Sequence, residues 1–127
     1  MPGPEPFSYA ILRVVPRVER GEQINAGVVL FCRRMQFLGL RFDVDDAKLA
    51  ALSPDCDPSA VRAVFESMAA VARGDTAGGP LAQLDASDRF GWITAPSSTI
   101  VQPSPVHTGL TEDPQGDLDR LFGQLVS

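Results

Sequence analysis

Residues 7–42 read FSYAILRVVPRVERGEQINAGVVLFCRRMQFLGLRF, and the punctuation of this stretch decides the fold. Phe7 to Val15 is dense in β-formers and stops at Pro16, which reads as a strand. The loop Pro16 to Gln23 follows, with Gly21 as its turn residue. Ile24 to Phe31 (INAGVVLF) is apolar on both alternating faces, the pattern of a strand inside a sheet. Arg33 and Arg34 make a tight, charged turn into a third strand, Gln36 to Phe42. Short connections between consecutive strands imply an antiparallel meander.

After residue 42 the hydrophobic period lengthens. Asp45 or Asp46 can cap a short helix running through Leu52. Asp57 followed by Pro58 pairs an N-cap with a first-turn proline and opens a helix to about Arg73. Val61, Val64, Phe65, Met68 and Val71 recur at three- and four-residue steps along it, one buried stripe. Gly74 to Gly79 reads as a flexible loop, and a short turn or helix is expected at Leu81 to Leu84. Strands are expected at Phe90 to Thr94 and at Thr99 to Gln102. Asp113-Pro114 repeats the cap-plus-proline signal, and Leu118, Leu121, Phe122, Leu125 and Val126 give a final amphipathic helix.

These elements predict an α+β fold, with an antiparallel sheet of four or five strands and helices packed mainly on one face. The Pro/Gly-rich residues 1–6 read as a flexible lead-in, and residues 7–127 as a single domain without repeats. The long helix and the last one each bring about five apolar side chains. Each is worth roughly 1.5–3 kcal/mol when fully buried, against under about 1 kcal/mol for a surface ion pair. Packing should therefore dominate stability.

The 127 residues carry 11 basic and 16 acidic side chains, a net charge of −5. Residues 1–48 hold seven basic and six acidic groups, and residues 49–127 hold four and ten. Neither half is basic enough for a nucleic-acid footprint, so no nucleic-acid partner is expected. The start, MPGPEPFSYA, lacks the charged end and apolar run of a signal peptide, and no apolar run reaches the length of a membrane span. A soluble, cytoplasmic protein without a membrane partner is the expectation. Cys32 and Cys56 fall in different elements without CxxC spacing, which favours free buried thiols over a disulfide.

A second stretch, Arg89 to Gly109 (RFGWITAPSSTIVQPSPVHTG), draws the functional reading. From Phe90 to Thr111 it has no charged residue, yet it is rich in hydroxyl and amide groups and holds the only Trp and the only His. Pro96, Pro103 and Pro105 each fix a backbone φ and remove an amide donor. Such a segment suits ordered structure whose polar groups are satisfied against the fold. Gln102, Ser104, His107 and Thr108 are its candidate binding residues. An imidazole can serve as base, donor or ligand near neutral pH, but a single His without a Cys/His cluster argues against zinc. No GxSxG, Walker loop, GxGxxG or HExxH motif occurs, so no catalytic residue, metal or cofactor is assigned. Against the binding role stands a structural one, in which His107 and Thr108 hold the turn before the last helix by bonds to backbone. If those bonds are buried, His107→Ala should cost about 1–3 kcal/mol. Ser97-Ser98-Thr99 reads as an ordinary turn or as a hydroxyl-rich anion site.

The first strands supply a second candidate. Arg13 and Arg41 lie within strands and Asn25 begins the strand between them, so the hairpins bring all three near one end of the sheet. They form either a solvated face or an arginine-lined pocket for a carboxylate or phosphate.

Tyr9–Phe31 and Arg89–Gly109, at this order and spacing, resemble the bacterial family catalogued as domain of unknown function 3037. The likeness runs from Phe7 to Leu125. Its most telling residues are Arg13, Pro16, Glu22, Asn25, Gly27, Arg89, Phe90, Gln102, Ser104, His107, Thr108 and Gly109, while Gln23 and Ala26 depart slightly from the pattern. The resemblance implies a small cytoplasmic bacterial protein without an assigned activity, often encoded beside a kinase-like protein resembling the persistence-associated serine/threonine kinases. It carries over no catalytic residue. The leading expectation is a non-enzymatic binding or accessory module that pairs with another protein, the kinase-like neighbour among the candidates. The alternative is a small enzyme or ligand sensor that binds a phosphate- or carboxylate-bearing molecule near His107 and Arg13 or Arg41. A homodimer, joined sheet edge to sheet edge or through exposed apolar sheet surface, is the third possibility.

Overall fold

The computed structural model describes residues 3–97 and 99–126. The three strands of the meander form as the sequence predicts: β1 (Glu5–Val14), β2 (Ile24–Cys32) and β3 (Phe37–Phe42), with β2 between the other two. β2 is buried on both faces, which accounts for its unbroken apolar run. β1 starts earlier than the hydrophobic pattern suggests. Glu5 and Pro6, expected in the lead-in, pair with Thr111 and Leu110 of the last strand. The rest of the expected lead-in includes residues 1 and 2, which lie outside the described residues.

The far edge of the sheet is a single broken strand. β4 (Val101–Pro103) pairs antiparallel with Leu12–Val14, and β5 (His107–Thr111) pairs antiparallel with Glu5–Tyr9. From Pro103 to His107 the edge advances four residues while its partners on β1, Leu12 to Tyr9, advance three. The extra residue is a β-bulge, and buried Ser104 holds it. Its amide donates to the Ile11 carbonyl at 2.8 Å. Its Oγ accepts from the buried Ile11 amide at 2.9 Å and donates to the Pro105 carbonyl at 2.9 Å. A hydroxyl thus replaces the backbone acceptor that the bulge displaces.

Two apolar cores flank the sheet. On one face, α1 (Asp46–Leu52), α2 (Pro58–Arg73) and α3 (Ala86–Ile93) cover Leu12, Val14 and Val29 with Leu49, Val61, Phe65 and Phe90. On the other, α4 (Pro114–Leu125) lays Leu118 and Leu121 on Phe7, Val28, Leu30 and Cys32. The helices therefore gather mainly on one face, with α4 alone opposite. Asp45, Asp57 and Asp113 cap α1, α2 and α4 with their side chains, and prolines occupy the first turns of α2 and α4. No helix among the described residues is long and apolar enough to cross a membrane.

Residues 90–94 correct the sequence reading, for they are not a strand. Residues 90–93 complete α3 and Thr94 caps its end, while its start is set by the Asp85 carboxylate accepting from the Asp88 amide at 2.9 Å. Phe90 and Ile93 are buried three residues apart, a helical spacing that overrides the β-preference of Phe, Trp, Ile and Thr. The strand expected at Thr99–Gln102 forms slightly later, as β4. The expected loop after α2 is also more ordered than its glycines suggest. Gly74 ends the helix at φ 69°, a left-handed conformation that glycine adopts without strain. Asp75 then caps a run of 3-10 turns, Thr76–Gln83, that is interrupted at Gly79.

Candidate functional site

Cross-strand register sorts the seven candidate residues by face, since paired residues in a sheet point the same way. Arg13 pairs with Asn25 on β2 and with Gln102 on β4, so these three form one row on the α4 face. Arg41, opposite Val28, sits on that face in the neighbouring row. His107 pairs with Tyr9 and also lies on that face. Tyr9 and Arg13 are four residues apart on one strand, about 13 Å, so His107 and Arg13 do not meet at a common point. Thr108 points to the opposite face, and Ser104 is the bulge clamp.

Most of the polar groups are already engaged. The Arg41 guanidinium bonds Asp119 at 2.9 Å and lies 4.2 Å above the Phe122 ring, holding α4 to β3. Asn25 donates to the Leu125 carbonyl near the end of α4, and Gln102 donates to the Thr99 carbonyl. Ser97 and Thr99 bond each other, and Thr99 Oγ1 bonds the Val101 carbonyl, which makes a self-contained turn. Ser98, the third member of that candidate, lies outside the described residues. Arg13 differs, because its Nε is buried and finds no hydrogen-bond partner among the described residues.

His107 belongs to β5 and is exposed, with its ring 5.3 Å from that of Tyr9. The turn-holding role expected for it therefore does not arise. Thr111 and Asp113 do that work, Thr111 Oγ1 accepting from the Asp113 amide and Asp113 Oδ1 from Gly116. Catalytic settings are equally sparse. Among the described residues no three His, Cys, Asp or Glu side chains converge to hold a metal. Both cysteines are free. Burial, together with the Asp57 charge, pushes the Cys56 thiol above its ordinary value, the opposite of what a thiolate nucleophile needs.

What the sheet edge does offer was only half visible in the sequence. Beyond the bulge, Thr108 and Leu110 share the face that carries α2 and α3, and Val106 lies just before β5. Leu110 is 69% exposed and Val106 46%. A cavity of about 320 Å³ opens farther along the same edge, where Val64, Met68, Trp92 and Ile93 meet Val101 and Pro103. Trp92 is itself 43% exposed. An apolar pocket and the exposed Leu110 thus line one side of an uncharged edge whose outer side has no neighbour among the described residues. The charge gap marked this segment as special, but the bulge that sets the register of β5 has no sequence signature of its own.

Neither the curated proteins nor the solved structures include a match to this chain. Residues 9–126 match the model of a family described as a protein of unknown function (DUF3037), and the chain belongs to that family.

Proposed function

We propose that the protein is a non-enzymatic binding module that captures an extended segment of a partner protein along the β4–β5 edge. The observation that carries this reading is the edge itself. It bears no charge from Val101 to Thr111, it ends the sheet, it is flanked on one face by the Trp92 cavity and Leu110, and it carries the exposed Val106 between its two halves. An added strand gains main-chain hydrogen bonds, and its alternate side chains meet the flanking face. Pro103 and Pro105 withhold amides near the bulge, so β5 is the stretch best able to pair. Edges that must stay unpaired usually carry lysine, proline or inward-pointing charge, and β5 has none of these. The distance of His107 from Arg13 along β1 and the pairing of Arg41 with Asp119 weigh against a single catalytic or anion-binding centre at those residues.

The kinase-like neighbour implied by family resemblance is the first partner to test. Co-expression followed by size-exclusion chromatography should yield a complex with the wild-type protein. Leu110→Lys, which puts a charge on the exposed edge without touching either core, should weaken it at least tenfold, and Trp92→Ala should weaken it less. A complex indifferent to Leu110→Lys would refute the edge as the docking site. No complex with this partner, together with a stable homodimer in sedimentation, would replace the partner with a second copy of the chain.

A further inference from the structure

A different part of the sheet borders a cavity of ligand size. Ser8 pairs with Phe31 on β2 and with Thr108 on β5, so Phe31, Ser8 and Thr108 form one row across three strands on a single face. Neither α2 nor α3 closes over the β5 end of this row, where Thr108 is exposed. Instead the row borders a cavity of about 320 Å³ that is lined also by Pro6, Phe7, Arg33 and Arg34. Phe31 lines it with an aromatic ring, whose centroid lies 5.4 Å from that of Phe90 in a stacked arrangement.

The charges around this cavity are unbalanced in a molecule whose net charge is −5. Arg33 Nη2 donates to Ser87 Oγ at 3.1 Å, a neutral partner that orients the guanidinium without cancelling it. Arg34 has only a loose approach to Glu5, at 4.0 Å. Most other arginines are closely paired with a carboxylate or, like Arg89, bonded to helix-end carbonyls. Two guanidiniums and two hydroxyls thus face a space of ligand size above an aromatic ring. Guanidinium forks match the geometry of phosphate and carboxylate oxygens, and pockets of this volume with a few convergent polar groups suit small ligands.

We infer that this basin binds a small organic anion, with a phosphate or carboxylate held by Arg33, Arg34, Ser8 and Thr108 and a ring or compact apolar part resting on Phe31. The site shares Thr108 with β5, but its charged groups lie on the turn between β2 and β3, so it does not rest on a partner strand docking at the edge.

Amide chemical shifts in a two-dimensional NMR titration test it, with phenyl phosphate, benzoate, inorganic phosphate and benzyl alcohol as probes. Saturable shifts confined to residues 6–8, 31–34 and 107–109 are expected from phenyl phosphate or benzoate, and whichever binds more tightly names the anion. Arg33→Ala should weaken that probe at least tenfold, Ser8→Ala should weaken it less, and Lys48→Ala, a cation removed elsewhere, should leave it unchanged. These positions lie outside the two cores, and a wild-type-like spectrum confirms that each variant is folded. The inference is overturned if neither anion gives saturable local shifts, if benzyl alcohol binds as well as they do, or if Arg33→Ala binds like the wild type.

Discussion

Ser104 and His107 sit three residues apart in the same uncharged segment, and their environments give them opposite weights. Ser104 is buried and its hydroxyl is the acceptor for the buried Ile11 amide. Ser104→Ala would leave that N–H without a partner in the sheet, which costs about 1–3 kcal/mol. Chemical denaturation should show a loss in that range, and an unchanged midpoint would mean that the bulge is not held by this bond. His107 is exposed and its contact in the fold is the Tyr9 ring. His107→Ala should therefore shift stability by no more than about 0.5 kcal/mol, the usual range for surface changes. A loss above about 1 kcal/mol would restore the structural role that the sequence suggests for it. Arg89, whose guanidinium bonds the carbonyls of Val71, Ala72 and Leu84, ties the end of α2 to the segment before α3. Its place among the telling family residues is explained by structure and needs no chemistry.

Among the secondary-structure elements, those with their own local signals were legible from the chain. Asp57-Pro58 and Asp113-Pro114 mark the starts of α2 and α4, and the double-faced apolar run marks β2 as interior. Asp113→Ala removes the acceptor for the Gly116 amide, at 3.1 Å. Loss of such a cap costs about 1 kcal/mol, and the melting temperature should fall by several degrees, as expected for a domain of this size. No measurable change would show that the Pro114 turn alone sets the helix start. Elements defined by tertiary contact were harder to read. Residues 90–94 look like a strand because Phe, Trp, Ile and Thr prefer one. The deciding signals lie upstream, in the Asp85 cap, and in the burial of Phe90 and Ile93 on one helical face. β5 was hidden by Gly109 and the neighbouring prolines, which read as turn residues. Gly109 is in fact required by packing, since a Cβ there would lie 2.7 Å from the Phe7 ring. The candidate site was legible to a similar degree. The Arg13, Asn25 and Gln102 row follows from correct strand pairing, whereas the Arg33, Ser8 and Thr108 cluster depends on the register of β5, which only the folded sheet reveals.

At the level of the whole molecule, the two faces of the sheet are unequally covered. Helical segments crowd one face, α4 takes the β2–β3 half of the other, and the outer edge of β4 and β5 has no neighbour among the described residues. The margin is also the stretch without charge, so the fold presents it without electrostatic protection while carrying −5 overall. An edge of this kind either meets a partner or must be held firmly enough not to pair at random. Hydrogen exchange at single amides distinguishes a firmly laid, open edge from the other states. Ile11 and Ser104, whose amides bond each other's residues, and Val15, whose amide donates to Ile100, should exchange only on global unfolding. Along residues 107–111, amides turned toward β1 should be slow and those turned outward fast, in alternation. Rapid exchange throughout 100–111 would mean that the segment is a loose tether, and uniform protection of 107–111 in the isolated protein would mean that a second copy already covers the edge; either result contradicts the account.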